Sequence, residues 1–356
     1  MNIIHVVGTG TIGEPLIGLL SLYKKEFGID EVTFHKNSPL EVDKTKVEQL
    51  LSRGALLAVN KDKVKQFEAL NLKPSLMEEE AIERASVVID CTPKGIGLAN
   101  KRNFYDRYKD KVKGFVAQGS EDGFGAKFAH NIVPFPNNQF IQVVSCNTHS
   151  IATVLKSFDN PFSSAYPGGV ISGDFTCIRR ASDISQDEDF IPAIELDGHK
   201  YDDFGTHHAK DAFTLLKDKF PATKLFSSSL VANTQYMHVI RFVIQTDHIN
   251  NLTSKEAVLN AFKENEMVAL TNKTTSNRVF GFGRDYGLYG RILNQAVICA
   301  PTINIDVTNR VIRGMLFTPQ DGNSLLSSIS AALHFLHPGS VGERLACLSP
   351  YIFKEI

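Results

Sequence analysis

The sequence predicts an α/β chain in two parts, a doubly wound parallel sheet followed by an α+β domain on a mixed or antiparallel sheet. Three observations predict it. Strand patterns alternate with helical ones through the first 145 residues, a glycine-rich turn joins the first strand to the first helix, and after residue 146 the strands lengthen while the helices between them thin out.

Taken in order, "NIIHVVGTGTIGEPLIGLLSLY" reads as strand, turn and helix, with Ile12, Leu16, Leu19, Leu20 and Tyr23 on one helical face. "EVTFHK", "ASVVIDC", "KGFVAQGSE" and "QFIQVVSC" supply four more strands, with helical stretches at 43–52 and 64–70 among them. Alternation of this kind calls for a parallel sheet with helices on its faces. The later strands are "GGVISGDFTCIRRAS", "KLFSSSLVAN", "YMHVIRFVIQT", "NQAVICAP" and "RVIRGMLFT", and "SLLSSISAALHFL" is a closing helix.

Composition excludes several functions. Against 39 Asp and Glu, 38 Lys and Arg leave no global field for nucleic acid or an anionic membrane. No run of 18 apolar residues is long enough to span a bilayer. A strand pattern begins at Asn2, which leaves no room for a secretory leader. The five cysteines (91, 146, 177, 299 and 347) are odd in number and lack CxxC spacing, as expected of reduced thiols in a cytoplasmic protein.

Gly8, Gly10 and Gly13 form G-x-G-x-x-G between a strand and a helix. The first glycine permits the tight turn, the second admits a pyrophosphate to the backbone, and the third lets helix and strand pack closely. The expected organisation is therefore a dinucleotide-binding (Rossmann) domain over 1–145 and a catalytic, substrate-binding domain over 146–320. A C-terminal helical segment over 321–356 then packs back on the first domain. At the end of the second strand, where an acidic residue would select NAD, stands His35-Lys36-Asn37-Ser38, with no carboxylate before Glu41. Lys36 would welcome the 2′-phosphate of NADP, so use of NADP at least as good as that of NAD is expected.

In "VVSCNTHS" (143–150), Cys146 stands where a strand stops and a helix starts. Free N–H groups and the helix dipole would lower its thiol below about 8.5. A thiolate near a nicotinamide ring can add to an aldehyde, and the hemithioacetal then gives up hydride to leave a thioester. Such chemistry needs a general base and a group to steady the oxyanion. Arginine forks in "RRASD" suit phosphate oxygens, and "HH" at 207–208 has no companion carboxylate or cysteine that would complete a metal site.

These motifs resemble the archaeal-type (type II) glyceraldehyde-3-phosphate dehydrogenases. The family's G-T-I-G turn matches Gly10–Gly13, its A-P-K-x-I-G stretch "TPKGIG" (92–97), its Q-G-G-E turn "QGSE" (118–121) and its V-V-S-C-N-T motif Val143–Thr148. "RRASD" (179–183), "THHAKD" (206–211), "MHV" (237–239), "GRDYG" (283–287) and "INIDVTN" (303–309) continue the match in order. The resemblance implies a phosphorylating oxidation of glyceraldehyde 3-phosphate to 1,3-bisphosphoglycerate, with NADP or NAD as cofactor, inorganic phosphate as co-substrate and a homotetramer as the assembly. It implies Cys146 as nucleophile, with Ser145, Asn147 and Thr148 around the aldehyde. Arg179 and Arg180 would face the substrate phosphate and the cofactor side, and His207 and His208 would line the substrate pocket. Thr11, Ile12, Gly119 and, in the place of the family's H-Q-E-S, Gln320 would meet the cofactor.

One departure concerns the base. The family's M-H-x-H reads Met237-His238-Val239-Ile240 here, so the second histidine is absent, and His238, His149 and His208 remain as candidates. Two other readings stay open: a different acylating aldehyde dehydrogenase or acyl-phosphate reductase, of the aspartate-semialdehyde type, and a cofactor-binding protein with altered catalysis.

Overall fold

A computed structural model describes residues 1–119, 121–159, 169–183, 191–247, 254–319 and 321–356. The chain forms two compact units. The first comprises residues 1–130, 135–143 and 325–349, and the second comprises 131–134, 144–324 and 350–356.

The first unit is built on β1 (Ile3–Val7), β2 (Glu31–His35), β3 (Leu56–Val59), β4 (Leu76–Met77), β5 (Val87–Asp90), β6 (Gly114–Gln118), β7 (Ala126–Phe128) and β8 (Phe140–Val143). They lie in the order β4-β3-β2-β1-β5-β6-β8-β7, and every pairing is parallel. β1 is buried along its whole length, as a central strand covered on both faces must be. Val88, Tyr105, Phe115 and Phe124 form a core cluster on one side. The helix Gly322–Leu336 contributes its residues from 325 onward to this unit, where a Cβ at Gly114 would lie 2.3 Å from the Phe335 ring. Its serines serve as partners: the Ser327 hydroxyl accepts from the His130 N–H at 3.0 Å, and the Ser330 Oγ lies 2.9 Å from His130 Nδ1.

The second unit carries β9 (Val170–Arg179), β10 (Glu195–Leu196), β11 (Lys224–Val231), β12 (His238–Thr246), β13 (Val268–Thr271), β14 (Ala296–Cys299), β15 (Asn304–Asp306) and β16 (Val311–Thr318). Their order is β10-β11-β9-β12-β16-β14-β13, with β15 beside β16. The sheet is mixed: β9 runs parallel to β11 and antiparallel to β12, and β13 runs parallel to β14. The strands alternate buried and open positions, in contrast to the solidly buried β1.

Helices are more numerous in this part than the sequence pattern suggested. His207–Leu216, Lys255–Glu264 and Ser276–Tyr286 join Cys146–Ser157. Lys255–Glu264 buries only Val258 and Phe262, and Ser276–Tyr286 only Val279 and Gly283; stripes that sparse are easily read as loop.

Candidate active site

In the first unit the glycine loop follows β1, at the point where the strand order reverses, which is where open α/β sheets take ligands. Gly8 holds φ +96°, and a Cβ on it would lie 3.1 Å from the Cys91 carbonyl oxygen. At Gly13 a Cβ would fall 2.1 Å from the Gly8 carbonyl. Side chains are therefore excluded at both, and Gly10, Thr11 and Ile12 are carried round a tight turn. No side chain caps the start of the helix Gly13–Leu22, an end whose positive potential suits an anion. Gly119, at φ +69°, donates its N–H to Val143 O at 2.9 Å and follows β6.

The end of β2 differs from the sequence expectation. Lys36 is buried, and its ammonium lies 2.6 Å from Asp43 Oδ2. Lys46 lies 3.2 Å from Asp43 Oδ1 and 3.5 Å from Glu14 Oε2. A short turn, Glu41–Asp43, folds the carboxylate back onto the lysine, so the strand end carries one after all. Burial opposes the Asp43 charge, yet its two lysine partners hold the carboxyl below its usual range. Gln320 lies outside the described residues.

In the second unit Cys146 is the first residue of the helix Cys146–Ser157, as the motif suggested. Ser145 caps it in an extended conformation (φ −65°, ψ 158°), its hydroxyl accepting from the Thr148 N–H at 3.4 Å. The same oxygen lies 2.9 Å from Thr148 Oγ1 and 3.4 Å from His208 Nδ1. Asn147 is buried, with its Oδ1 accepting from the Thr318 hydroxyl at 3.5 Å. Asn323 Nδ2 donates to the Cys146 carbonyl at 3.1 Å. The helix start is thereby tied to the end of β16 and to the helix beginning at His207.

Arg179 and Arg180 end β9 with their side chains in different settings. Arg179 is partly exposed and reaches Asp197 at 2.8 Å. The Arg180 side chain is almost fully buried, donating to Tyr236 O and to Asp183 Oδ1, each at 2.9 Å. His207 and His208 open the next helix with ring centroids 3.9 Å apart. Burial drives His208 well below the ordinary imidazole range, with His207, Arg179 and His238 adding to the effect. The Arg180 charge is also felt at Cys146 and at His238, so Cys146, both arginines, His208 and His238 share one electrostatic neighbourhood.

Which histidine can take a proton follows from which nitrogen is already engaged. His238 Nδ1 accepts the Arg180 backbone N–H at 3.0 Å. A neutral ring bonded that way carries its hydrogen on Nε2. Burial, then Arg180, pushes this histidine down to about 3, so at neutral pH it is an uncharged donor. In that state His238 offers a donor nitrogen rather than a lone pair. His149 shows the reverse arrangement: its Nδ1 lies 3.0 Å from the Ser145 carbonyl, which can only accept. Nδ1 must therefore hold the hydrogen, and Nε2 keeps the lone pair.

The thiol also departs from expectation. Cys146 keeps some surface open to solvent, yet burial pushes its thiol up to about 12. Asp183 and Asp321 push the same way, and Arg180 and the Asn147 N–H pull against them. Desolvation outweighs the helix terminus here.

Asp321 was not anticipated. It is 3 % exposed, and burial raises its carboxyl to about 6 despite Arg291, whose Nε lies 3.5 Å away. Nothing in the run "TPQDGN" signals a buried acid. Among the described residues no cluster of three or more His, Cys, Asp or Glu could hold a metal ion, and no helix is long and apolar enough to cross a membrane.

No family model matches the chain. Curated relatives do. Glyceraldehyde-3-phosphate dehydrogenase of Sulfolobus acidocaldarius is 27 % identical over 310 residues, covering 84 % of this chain and 82 % of its own length. The protein of that name from Methanoregula boonei is 24 % identical over 363 residues, covering 94 % and 97 %. That from Methanococcus vannielii is 26 % identical, covering 70 % and 71 %. The chain is similar to archaeal glyceraldehyde-3-phosphate dehydrogenases over most of its length. Within that family's pattern, the cysteine motif is intact at a helix start, while the second histidine of M-H-x-H is replaced by Ile240, a buried apolar residue of β12.

Proposed function

We propose that the protein is a phosphorylating glyceraldehyde-3-phosphate dehydrogenase that uses a nicotinamide cofactor. The reading is carried by Cys146 on the first turn of a buried helix, with a lone-pair nitrogen on His149 one turn along and a donor nitrogen on His238. The names of the relatives support the substrate class.

Gly8, Gly10, Thr11, Ile12, Gly13 and Gly119 would hold the dinucleotide. The cradle fits one, because a Cβ at Gly8 or Gly13 would strike backbone and the helix start has no side-chain cap. When bound, the nicotinamide supplies the acceptor for hydride. The residues of the chain do the rest. Cys146 Sγ forms a bond to the aldehyde carbon while its proton passes to His149 Nε2. That transfer is needed because the resting group is a thiol. The carbonyl oxygen becomes an alkoxide, and His238 Nε2–H, neutral and fixed by Arg180, donates to it. Ser145, Asn147 and Thr148 frame the aldehyde. Arg179, with His207 and His208 beside it, is the partly exposed cation on which a substrate phosphate would dock. After oxidation, inorganic phosphate attacks the thioester and releases the thiolate. Cytoplasmic location and a homotetramer complete the proposal.

For the cofactor we propose use of both NADP and NAD. Lys36 and Lys46 straddle Asp43, so a 2′-phosphate would meet two cations whose charge one carboxylate already offsets.

The test is cofactor reduction by wild type and Cys146→Ser with glyceraldehyde 3-phosphate, glyceraldehyde and aspartate semialdehyde, each with and without phosphate. Phosphate-dependent turnover of the first aldehyde, lost in Cys146→Ser, is the expected result. Turnover of aspartate semialdehyde alone would move the protein to the acyl-phosphate reductases. Silence with every aldehyde, with cofactor binding intact, would mark a protein that no longer catalyses.

A further inference from the structure

Arg179, the cation on which the substrate phosphate would dock, already has an anion beside it. Its Nη2 donates to Asp197 Oδ2 at 2.8 Å, while its Nε is buried with no hydrogen-bond partner among the described residues. One prong of the guanidinium fork is thus engaged by a carboxylate of the chain and the next is unmet, although buried donors are ordinarily satisfied.

The sheet shows how Asp197 arrives there. β11 lies beside β9 with Val231 opposite Arg179. β10 adds a two-residue edge beyond it, with Glu195 opposite Val231 and Leu196 opposite Leu230. Asp197 follows at once. Its N–H donates to Ser229 O at 3.0 Å, and the Ser229 hydroxyl donates to the same Oδ2 that Arg179 holds. The carboxylate is therefore carried across β11 by a very short edge strand, both of whose residues are exposed. The Arg179 and Asp197 side chains are 35 % and 39 % exposed, and an ion pair so open to water adds little to stability. A contact of that kind is readily exchanged for another anion.

We propose, resting on the phosphate site assigned to Arg179, that Asp197 is an internal competitor for the substrate's phosphate: it holds Arg179 until a phosphate displaces it. A phosphate monoester brings three acceptor oxygens and about two negative charges at pH 7, against one engaged oxygen of Asp197. It can take the Nη2–H that Asp197 gives up and the unmet Nε–H together, as guanidinium forks take phosphate. Asp197 then turns to water and to the Ser229 hydroxyl. Affinity for an anion at Arg179 is reduced by the fraction of molecules in which the arginine is released. Asp197 thereby sets the concentration at which phosphorylated substrate is taken up, without touching the reacting carbon.

Glycerol 3-phosphate, which carries the phosphate but no aldehyde, is titrated calorimetrically into the full-length protein, with glycerol as the blank. Neither cofactor nor turnover enters the measurement. Asp197→Asn should bind it about fivefold more tightly than wild type, the most that an exposed ion pair contributes. Glu195→Gln removes an exposed charge of the same sign two residues away and should stay within twofold of wild type. Arg179→Ala should bind weakly, and adding Asp197→Asn to it should restore nothing. Tightening by Asp197→Asn in a protein that turns over no aldehyde would sink the dehydrogenase reading and leave Asp197 as the competitor. Equal affinities of wild type and Asp197→Asn, an equal gain from Glu195→Gln, or a gain that persists without Arg179 would overturn the proposal. So would wild-type affinity in Arg179→Ala, or failure of both wild type and Asp197→Asn to bind.

Discussion

The sharpest consequence of the structure concerns the reactivity of Cys146 in the free protein. The sequence, with a cysteine at a helix start, points to an easily ionised thiol, whereas burial holds it near 12, against an ordinary 9.0. Three units lower the thiolate fraction at pH 7.5 by about a thousandfold, or about 4 kcal/mol. A more basic thiolate is also a better nucleophile, with a Brønsted slope of about 0.4–0.5, which recovers roughly 1.2–1.5 of those three logarithmic units. Cys146 should thus react with a neutral pyridyl disulfide about thirtyfold more slowly than free cysteine at pH 7.5. Its rate should climb tenfold per pH unit beyond pH 9 without a plateau. Peptide mapping of the labelled protein assigns the rate to Cys146, and Cys146→Ser supplies the blank. Asp183→Asn and Asp321→Asn should each speed the reaction, because both carboxylates raise the thiol. A plateau below pH 8, or a rate above that of free cysteine, would refute the argument and restore the helix terminus as the dominant influence.

Two further outcomes follow from charged groups elsewhere. Asp43→Asn leaves Lys36 and Lys46 without their shared carboxylate, so NADP should bind about tenfold more tightly relative to NAD; an unchanged ratio of the two dissociation constants would show that the 2′-phosphate lies elsewhere. Asp321 titrates near 6 when folded against 3.8 when free, so the native state binds more protons between those values and its stability falls as pH rises through them. The ionised acid then costs about 2–3 kcal/mol above pH 6. Asp321→Asn should therefore raise the melting temperature at pH 8 and change it little at pH 4, and equal shifts at both would sink the assignment.

The parallel sheet was legible because β1, β2, β5, β6 and β8 are apolar runs bounded by turns. β4 and β7 escaped because strands of two and three residues carry no period of their own and become strands only by pairing with β3 and β8. The cysteine's place at a helix start was legible for a local reason: Ser145 and the residues after it form a cap. Its protonation was not, because it is set first by burial in the fold and then by Asp183, Arg180 and Asp321, which lie 34 to 175 residues away in the chain. The histidines make the same point. The letters of "MHVI" and "CNTH" are equally silent on which ring nitrogen holds the hydrogen. His238 is decided by a backbone N–H 58 residues distant, and His149 by a carbonyl four residues back on its own helix. A loss of the family's second histidine therefore need not mean loss of the base. The function can pass to a neutral imidazole whose other nitrogen the fold obliges to donate, which is the ground on which His149, three residues along the helix from Cys146, is proposed for it.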